Sequence, residues 1–215
     1  MGRIITALTA QKKNPNRINV FLDGEFAFGL ERIVAAWLRI NQELSDEKIA
    51  SLLNEDTREV AYQRALHFLS FRPRTEKEVR QNLLSKEFEA ELIEEVIDRL
   101  KEKRLLDDLQ FARAWIENRN TYRPRGQRAL AVELQQKGVS RAAIEEALAG
   151  MGDETELAES AARKYAKRLQ GEDWVVFREK LSAFLGRRGF SYESINGTVR
   201  RVWEEIQSSQ EVHQM

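Results

Sequence analysis

The alternation of apolar and polar residues is strongest in the first thirty positions. RIITALTAQ, from Arg3, and RINVFLDGEFAFGL, from Arg17, are β-branched or aromatic runs with period-two spacing. Asp23-Gly24 separates two such runs and is the dipeptide typical of a type I′ hairpin turn. We therefore predict a small three-stranded antiparallel sheet made of this β-hairpin and the first strand. A sheet of this size must pack on helices to be stable.

From residue 30 onwards the apolar residues recur at helical spacing. In LERIVAAWLRI, one face of a predicted helix carries Leu30, Ile33, Val34, Trp37 and Leu38. Ser45, followed by acidic residues, predicts the N-cap of the next helix. Further helices are predicted to begin near Asp56, Asp107, and Asp153 or Thr155.

Three helical units are related by a period of 51 residues. RPRTEKEVRQNLLSKEF begins at Arg72 and RPRGQRALAVELQQKGV begins at Arg123, and a third, looser copy follows at the same interval. Apolar positions recur in all three copies, as at Leu83, Leu134 and Leu185. Such a period predicts tandem three-helix repeats that stack into an elongated curved array. The fold class is therefore mostly α, with the small N-terminal antiparallel β-hairpin sheet.

The predicted boundaries follow from this period. They are 1–55 for the N-terminal β-hairpin and helices, 56–106, 107–152 and 153–207 for the three repeats, and 208–215 for a tail.

The ends of the second helix in each repeat show how consecutive helices are joined. Gly138 and Gly189 follow a helix where a left-handed residue is needed, and Ser140 and Ser191 are placed to cap the next helix. The first repeat has Glu87 at the glycine position. We therefore expect Glu87 to adopt a positive φ.

The starts of these helices are also alike. Thr75 and Glu78 form a predicted capping box, and Gly126 takes the position of Thr75 in the second repeat. Duplication and helix initiation alone could account for the shared Arg-Pro-Arg triplet. A contact role for its arginines stays open beside that interpretation.

Charge is unevenly distributed although the net charge is zero. Residues 160–203 hold ten basic and four acidic residues, 111–150 hold seven and four, and 86–108 hold five and nine. This asymmetry predicts an acidic or phosphate-rich partner for the C-terminal half.

The basic residues at the repeat ends are the candidate partner- or DNA-binding residues. Guanidinium groups bind phosphates and carboxylates through paired hydrogen bonds. The alternative is that these residues pair with neighbouring acids or complement helix dipoles. A basic stripe on one helix, Arg163, Lys164, Lys167 and Arg168, and Tyr122 as a stacking platform are related candidates. The predicted set is Arg72, Arg74, Arg123, Arg125, Arg128, Lys137, Arg163, Lys167, Arg187 and Arg188.

Catalytic chemistry finds little support in the sequence. The chain has no cysteine, and its two histidines, His67 and His213, are far apart. It contains neither a glycine-rich phosphate loop nor a cluster with metal-ligand spacing. We predict a non-enzymatic protein without cofactor or metal. No signal peptide or membrane-spanning stretch is evident, so we expect a cytoplasmic protein. We also expect it to be a monomer.

The order of four segments resembles the RecX family, the bacterial modulators of the RecA recombinase. These segments are RPRTEKEVRQNL, LIEEVIDRLKEKRLLDD, FARAW and ELQQKGV, and the resemblance covers roughly residues 57–203. It implies a partner, the RecA–DNA filament, and restraint of its ATPase, growth and strand exchange. It also implies, for some members, direct binding of single- or double-stranded DNA. Glu87-Phe88 departs from the usual glycine and apolar residue.

An independent helical DNA-binding protein is the alternative. The first repeat could pass for a helix-turn-helix unit, but its second helix, EAELIEEVIDRL, is acidic and would be repelled by phosphates. Weak, salt-sensitive DNA binding through the second and third repeats stays open.

Overall fold

A computed structural model describes residues 2–212 and shows a mainly helical chain with a small N-terminal sheet, which confirms the predicted fold class. The sheet is antiparallel, in the order β3-β2-β1-β4. Asp23 and Gly24 both have positive φ, as the predicted turn requires. The strands are β1 Arg3–Ala10, β2 Arg17–Leu22, β3 Glu25–Glu31 and β4 Glu43–Leu44.

The prediction of three strands was wrong, because β4 also pairs with β1. A strand of two residues is too short to show alternation in the sequence. The helix predicted over LERIVAAWLRI was also wrong. Leu30 belongs to β3, where it lies opposite Ile18, and the helix that follows, α1, spans only Arg32–Ala35. Sheet pairing therefore overrides the helical spacing, and the side chain of Trp37 is 87% exposed.

Nine further helices and the loops between them make up the rest of the described chain. The first of these helices, α2, runs without a break through Asp56, so the helix start predicted near Asp56 was wrong. Asp56 caps nothing, because its carboxylate accepts hydrogen bonds from the Glu31 N–H and from Arg17 Nη2. The helices are α2 Asp46–Ser70, α3 Glu76–Leu84, α4 Ala90–Glu102, α5 Asp108–Tyr122, α6 Gln127–Gln136, α7 Arg141–Ala149, α8 Glu154–Ala166, α9 Trp174–Arg187 and α10 Tyr192–Val212.

The chain divides into two compact units. The first comprises residues 1–73 and 79–105, and the second comprises 74–78 and 106–215. In the first, one face of the sheet packs on α2 through residues such as Ile5, Leu30 and Leu52. The domain boundaries drawn from the 51-residue period stay a prediction. Residues 213–215 of the predicted tail, with His213, lie outside the described residues.

Most of the predicted caps are present. Gly138 and Gly189 have φ values of +87° and +80°. Glu87 has a φ of +63°, which confirms the expectation for this position. The side chains of Ser45, Thr75, Asp107, Ser140, Asp153 and Ser191 each accept a hydrogen bond from a backbone N–H in the first turn of the following helix.

In the second unit, the starts of α3 and α6 pack on the C-terminal ends of α6 and α9. The Thr75 hydroxyl donates to the Lys137 carbonyl at 2.8 Å, and the Gly126 N–H donates to the Arg188 carbonyl at 2.9 Å. Thr75 and Lys137 lie 51 residues before Gly126 and Arg188. The duplication has therefore copied a joint between helices as well as the helices.

A carboxylate completes each of these joints. Asp108 Oδ1 accepts from the Glu76 N–H at 2.9 Å, and Glu154 Oε1 accepts from the Gln127 N–H at 3.0 Å. Each acceptor stands at the first residue of its helix, α5 or α8. These contacts satisfy backbone donors that a helix start leaves without an intrahelical partner.

Glu154 also holds the start of α10. Its Oε2 accepts from the Ser191 N–H at 3.3 Å and from the Ser194 hydroxyl at 3.0 Å. Burial raises the pKa of this carboxyl group, but the hydrogen bonds from Gln127, Ser191 and Ser194 outweigh burial and lower the pKa overall. The ionised form is therefore the one that the fold stabilises.

We expect Glu87→Gly to raise the free energy of unfolding by up to about 1 kcal/mol, because glycine adopts positive φ without a Cβ clash. Thermal or urea unfolding measures the change. Lys86→Gly is the control, since Lys86 precedes it in the same exposed turn without a positive φ. An equal or larger gain for the control would contradict the assigned backbone geometry.

Gly126→Ala should lower the free energy of unfolding by about 2 to 3 kcal/mol, because the new Cβ would overlap backbone atoms. It would lie 2.2 Å from the Gly189 carbonyl oxygen and 2.4 Å from Phe190 Cα. Gly186→Ala is the matched control within α9, where a Cβ meets nothing within 4 Å. Unfolding experiments should find the control unchanged or stabilised; equal stability of both variants would refute the close contact.

Glu154→Gln should destabilise the fold by about 1 to 2 kcal/mol at neutral pH. Because the pKa of Glu154 is lower in the folded protein than in the unfolded chain, the ionised carboxylate stabilises the fold. This stability is fully present above the pKa of the unfolded chain, about 4.3, and is lost as the pH falls through the pKa of the folded protein. The difference between wild type and Glu154→Gln should therefore shrink in acid. Chemical unfolding at several pH values measures this, with Glu156→Gln, exposed in the same turn, as control. A difference independent of pH would be the contrary result.

Candidate partner-binding surface

The second unit contains a cleft of about 160 Å³ lined by basic and aromatic side chains. The end of α5 and the Arg-Pro-Arg segment form one wall, and α8 and α9 form the other walls. The joint between Gly126 and Arg188 brings these walls together. The basic and aromatic lining residues are Tyr122, Arg123, Lys164, Tyr165, Arg168, Phe184 and Arg188.

Arg188 is fixed in place inside the cleft. Its Nη1 donates to the Pro124 carbonyl at 2.9 Å, and its guanidinium carbon lies 4.6 Å from the centre of the Phe184 ring. Tyr165 stacks on Phe184 with ring centres 4.0 Å apart. Burial lowers the pKa of Arg188, and the positive charges of Arg125 and Arg123 lower it further. The cleft therefore concentrates positive charge.

The cations of the cleft have no acidic partner within the described part of the chain. Arg123, Lys164, Arg168 and Arg188 make no ion pair with any described carboxylate. Arg163, next to Lys164, contrasts with them. Hydrogen bonds from Arg163 to Glu205 and Glu159, at 2.8 to 2.9 Å, raise its pKa.

The stripe of basic residues predicted on one helix is therefore divided, and its last two residues lie beyond the end of α8. Arg163 belongs to a surface ion-pair cluster, whereas Lys164 and Arg168 line the cleft. Glu159, four residues before Arg163, is the sequence signal that distinguishes the two positions. Ser160 stands at the corresponding place before Lys164.

Two other predicted residues have partners inside the second unit. Arg125 Nη1 lies 2.6 Å from Glu133 Oε1, an ion pair without hydrogen-bond geometry, and Glu133 Oε2 also accepts from Trp115 Nε1. Lys137 Nζ lies 3.3 Å from Glu78 Oε1 and 4.7 Å from the centre of a Trp115 ring. These contacts give Arg125 and Lys137 a packing role; a role in partner binding stays a prediction.

The other predicted residues are not gathered into the cleft. Arg72 and Arg74 both interact with groups inside the chain. Arg128, Lys167 and Arg187 are exposed, and no described carboxylate pairs with them. Of the predicted set, the structure therefore places only Arg123 and Arg188 at the cleft lining.

Two features were missed by the sequence analysis. Tyr165, which the sequence does not single out, packs against the core of the third repeat and also lines the cleft. The bridging carboxylate of Glu154 had no sequence signal, because a first-turn glutamate is ordinary in helices.

Among the described residues, none of the helices has both the length and the apolar character that a membrane span requires.

Comparison with known proteins covers nearly the whole chain. Four domain models of the RecX family match in order: the RecX N-terminal domain at residues 3–45, and the first, second and third three-helix domains at 61–100, 107–148 and 152–199. The predicted succession of three helical repeats therefore has a counterpart in this family.

Individual relatives agree with these matches. The regulatory protein RecX of Bacillus subtilis (strain 168) is 33% identical over 202 residues, which are 92% of this chain and 76% of that protein. That of Clostridium botulinum (strain Alaska E43 / Type E3) is 32% identical, covering 91% of this chain and 94% of the relative.

Solved structures show the same similarity in three dimensions. The crystal structure of a regulatory protein RecX aligns with a TM-score of 0.77 at 27% identity, over 91% of this chain and 98% of that one. RecX from Lactobacillus salivarius aligns with a TM-score of 0.65 at 27% identity, over 69% and 97%. With its four domains matched in order and relatives over 30% identical along most of its length, this chain belongs to the RecX family of regulatory proteins.

Proposed function

We propose that this protein binds the RecA–DNA filament and restrains its ATPase, growth and strand exchange, without an enzymatic activity of its own. The observation that carries the proposal is the match of all four RecX domains in their order along the chain. We propose RecA as the partner because the resemblance to the RecX family implies it. Its setting is the bacterial cytoplasm, and the protein acts as a monomer.

The charge of the second unit supports a contact with an acidic or phosphate-rich partner. Arg128, Lys167 and Arg187 are exposed and unopposed by any carboxylate among the described residues. Such charges raise the rate of association with an oppositely charged surface, and their effect weakens with salt. Several weak contacts on one body can together supply the affinity that no single contact has.

DNA binding without the recombinase is a weaker candidate for the main activity. The helix that would read a groove in the first repeat, α4, carries five acidic and only two basic side chains. Phosphates would be repelled by this acidic helix. We therefore propose that any direct DNA contact is made by the second unit, and that filament binding is the main activity.

Reversing exposed charges tests the proposal. The triple variant Arg128→Glu, Lys167→Glu, Arg187→Glu should weaken binding to RecA filaments on single-stranded DNA at least tenfold, because three favourable charges become unfavourable. Binding of a labelled protein to preformed filaments measures the affinity. The melting temperature should stay within a few degrees of wild type, since surface substitutions of this kind change stability little.

The matched control reverses three exposed lysines of the first unit: Lys13→Glu, Lys48→Glu and Lys103→Glu. It changes the net charge equally and should leave filament binding close to wild type. Equal loss in both variants would mean that only net charge matters. Undiminished binding by the first variant would show that this basic surface is not the contact.

A further inference from the structure

The cleft lined by Arg123, Lys164, Arg168 and Arg188 has the composition of an anion site. Paired arginines such as Arg163 show that this unit contains carboxylates able to neutralise neighbouring cations. The four cleft cations have no such partner within the described residues. Like charges held close together raise the free energy of the protein, so an arrangement serving packing alone would pair them.

Helix ends explain how the fold tolerates this charge. Arg123 and Arg188 are the C-cap residues of α5 and α9, and Arg168 follows the C-cap of α8. The partial negative charge at a helix C-terminus stabilises a nearby cation by about 0.3 to 1 kcal/mol. It amounts to about half an elementary charge per helix, which leaves the cleft positive.

Contacts inside the protein fix Arg188 before a ligand arrives. Arg188 is held by its hydrogen bond to Pro124 and by the ring of Phe184. A side chain that is already ordered loses less conformational entropy on binding. Tyr122, 74% exposed, stands at the rim beside Arg123.

Size and lining select the ligand. A volume of about 160 Å³ is well below the roughly 300 to 1,000 Å³ of sites that enclose a drug-sized molecule. It suits a single anionic group of a larger ligand that continues outside the cleft. Guanidinium groups and an exposed aromatic ring together are the combination that contacts phosphates and stacks bases in single-strand-binding proteins.

We propose that this cleft binds a phosphodiester of single-stranded nucleic acid, with an adjacent base stacked on Tyr122. The inference rests on the proposed function, because it assigns the nucleic-acid contact of a filament-binding protein to named residues. A duplex keeps its bases stacked inside, so it would satisfy the cations but not Tyr122. The preference for a single strand therefore depends on Tyr122.

The test measures direct binding of a labelled oligothymidylate of about 12 nucleotides to the full chain without recombinase. The cleft variant Lys164→Glu, Arg168→Glu should bind at least tenfold more weakly. Between about 50 and 200 mM salt, the plot of log affinity against log salt should be shallower for this variant by about 0.7, because the phosphate in the cleft is no longer neutralised. Tyr122→Ala should weaken binding about five- to hundredfold and reduce the preference for a single strand over the matching duplex.

The matched control is Arg141→Glu, Arg178→Glu, which reverses two exposed charges of the same unit outside the cleft. Binding close to wild type in this control, with weaker binding by the cleft variants, supports the site. Equal binding by cleft and control variants would overturn it. Two competition results would also overturn it. If inorganic phosphate competes as effectively as the oligonucleotide, the ligand is a free anion. If a polyglutamate peptide competes as effectively, the ligand is an acidic protein segment.

The two proposals fail in different experiments. Wild-type protein that inhibits RecA but does not bind the oligonucleotide would refute the cleft assignment alone. Cleft-dependent oligonucleotide binding without any effect on RecA would uphold the cleft and refute the proposed function.

Discussion

The meeting of two backbones at Gly126 and Gly189 determines how the helices of the second unit are joined. A Cβ at Gly126 would overlap the Gly189 carbonyl, and the Gly126 N–H reaches the Arg188 carbonyl beside it. The start of α6 is thereby held against the end of α9. The same joint, with Thr75 on Lys137, occurs 51 residues earlier. In both repeats the Arg-Pro-Arg triplet directly precedes the residue that forms this joint, so the joint explains the repetition of the triplet without any partner contact.

The joint also explains why the basic cleft lies where it does. Holding the start of α6 on the end of α9 places Arg125 and Arg123 near Arg188. Burial lowers the pKa of Arg188, and repulsion from these two arginines lowers it further. Helix C-termini offset part of that cost without removing the charge. A duplicated structural joint has thereby produced a site that is suited to an anion.

The fold could be predicted largely from local signals, whereas the site could not. Glu87 at a glycine position and Ser140 as a cap follow from short-range geometry, which a sequence displays directly. The helix predicted around Trp37 was wrong because the pairing of β3 with β2 outweighs the helical spacing of the apolar residues. Lys137 and Arg188 occupy equivalent positions in their repeats, but Glu78 pairs with Lys137 and no described carboxylate pairs with Arg188. Such pairing depends on which distant side chains meet.

Regulation of the filament is tested most directly by the single-stranded-DNA-dependent ATPase rate of RecA, measured at increasing concentrations of this protein. We predict that the rate falls at amounts well below those needed to coat the DNA, because the protein acts on the filament. An unchanged ATPase rate, with tight binding of the protein to bare DNA, would contradict filament regulation and support an independent DNA-binding protein.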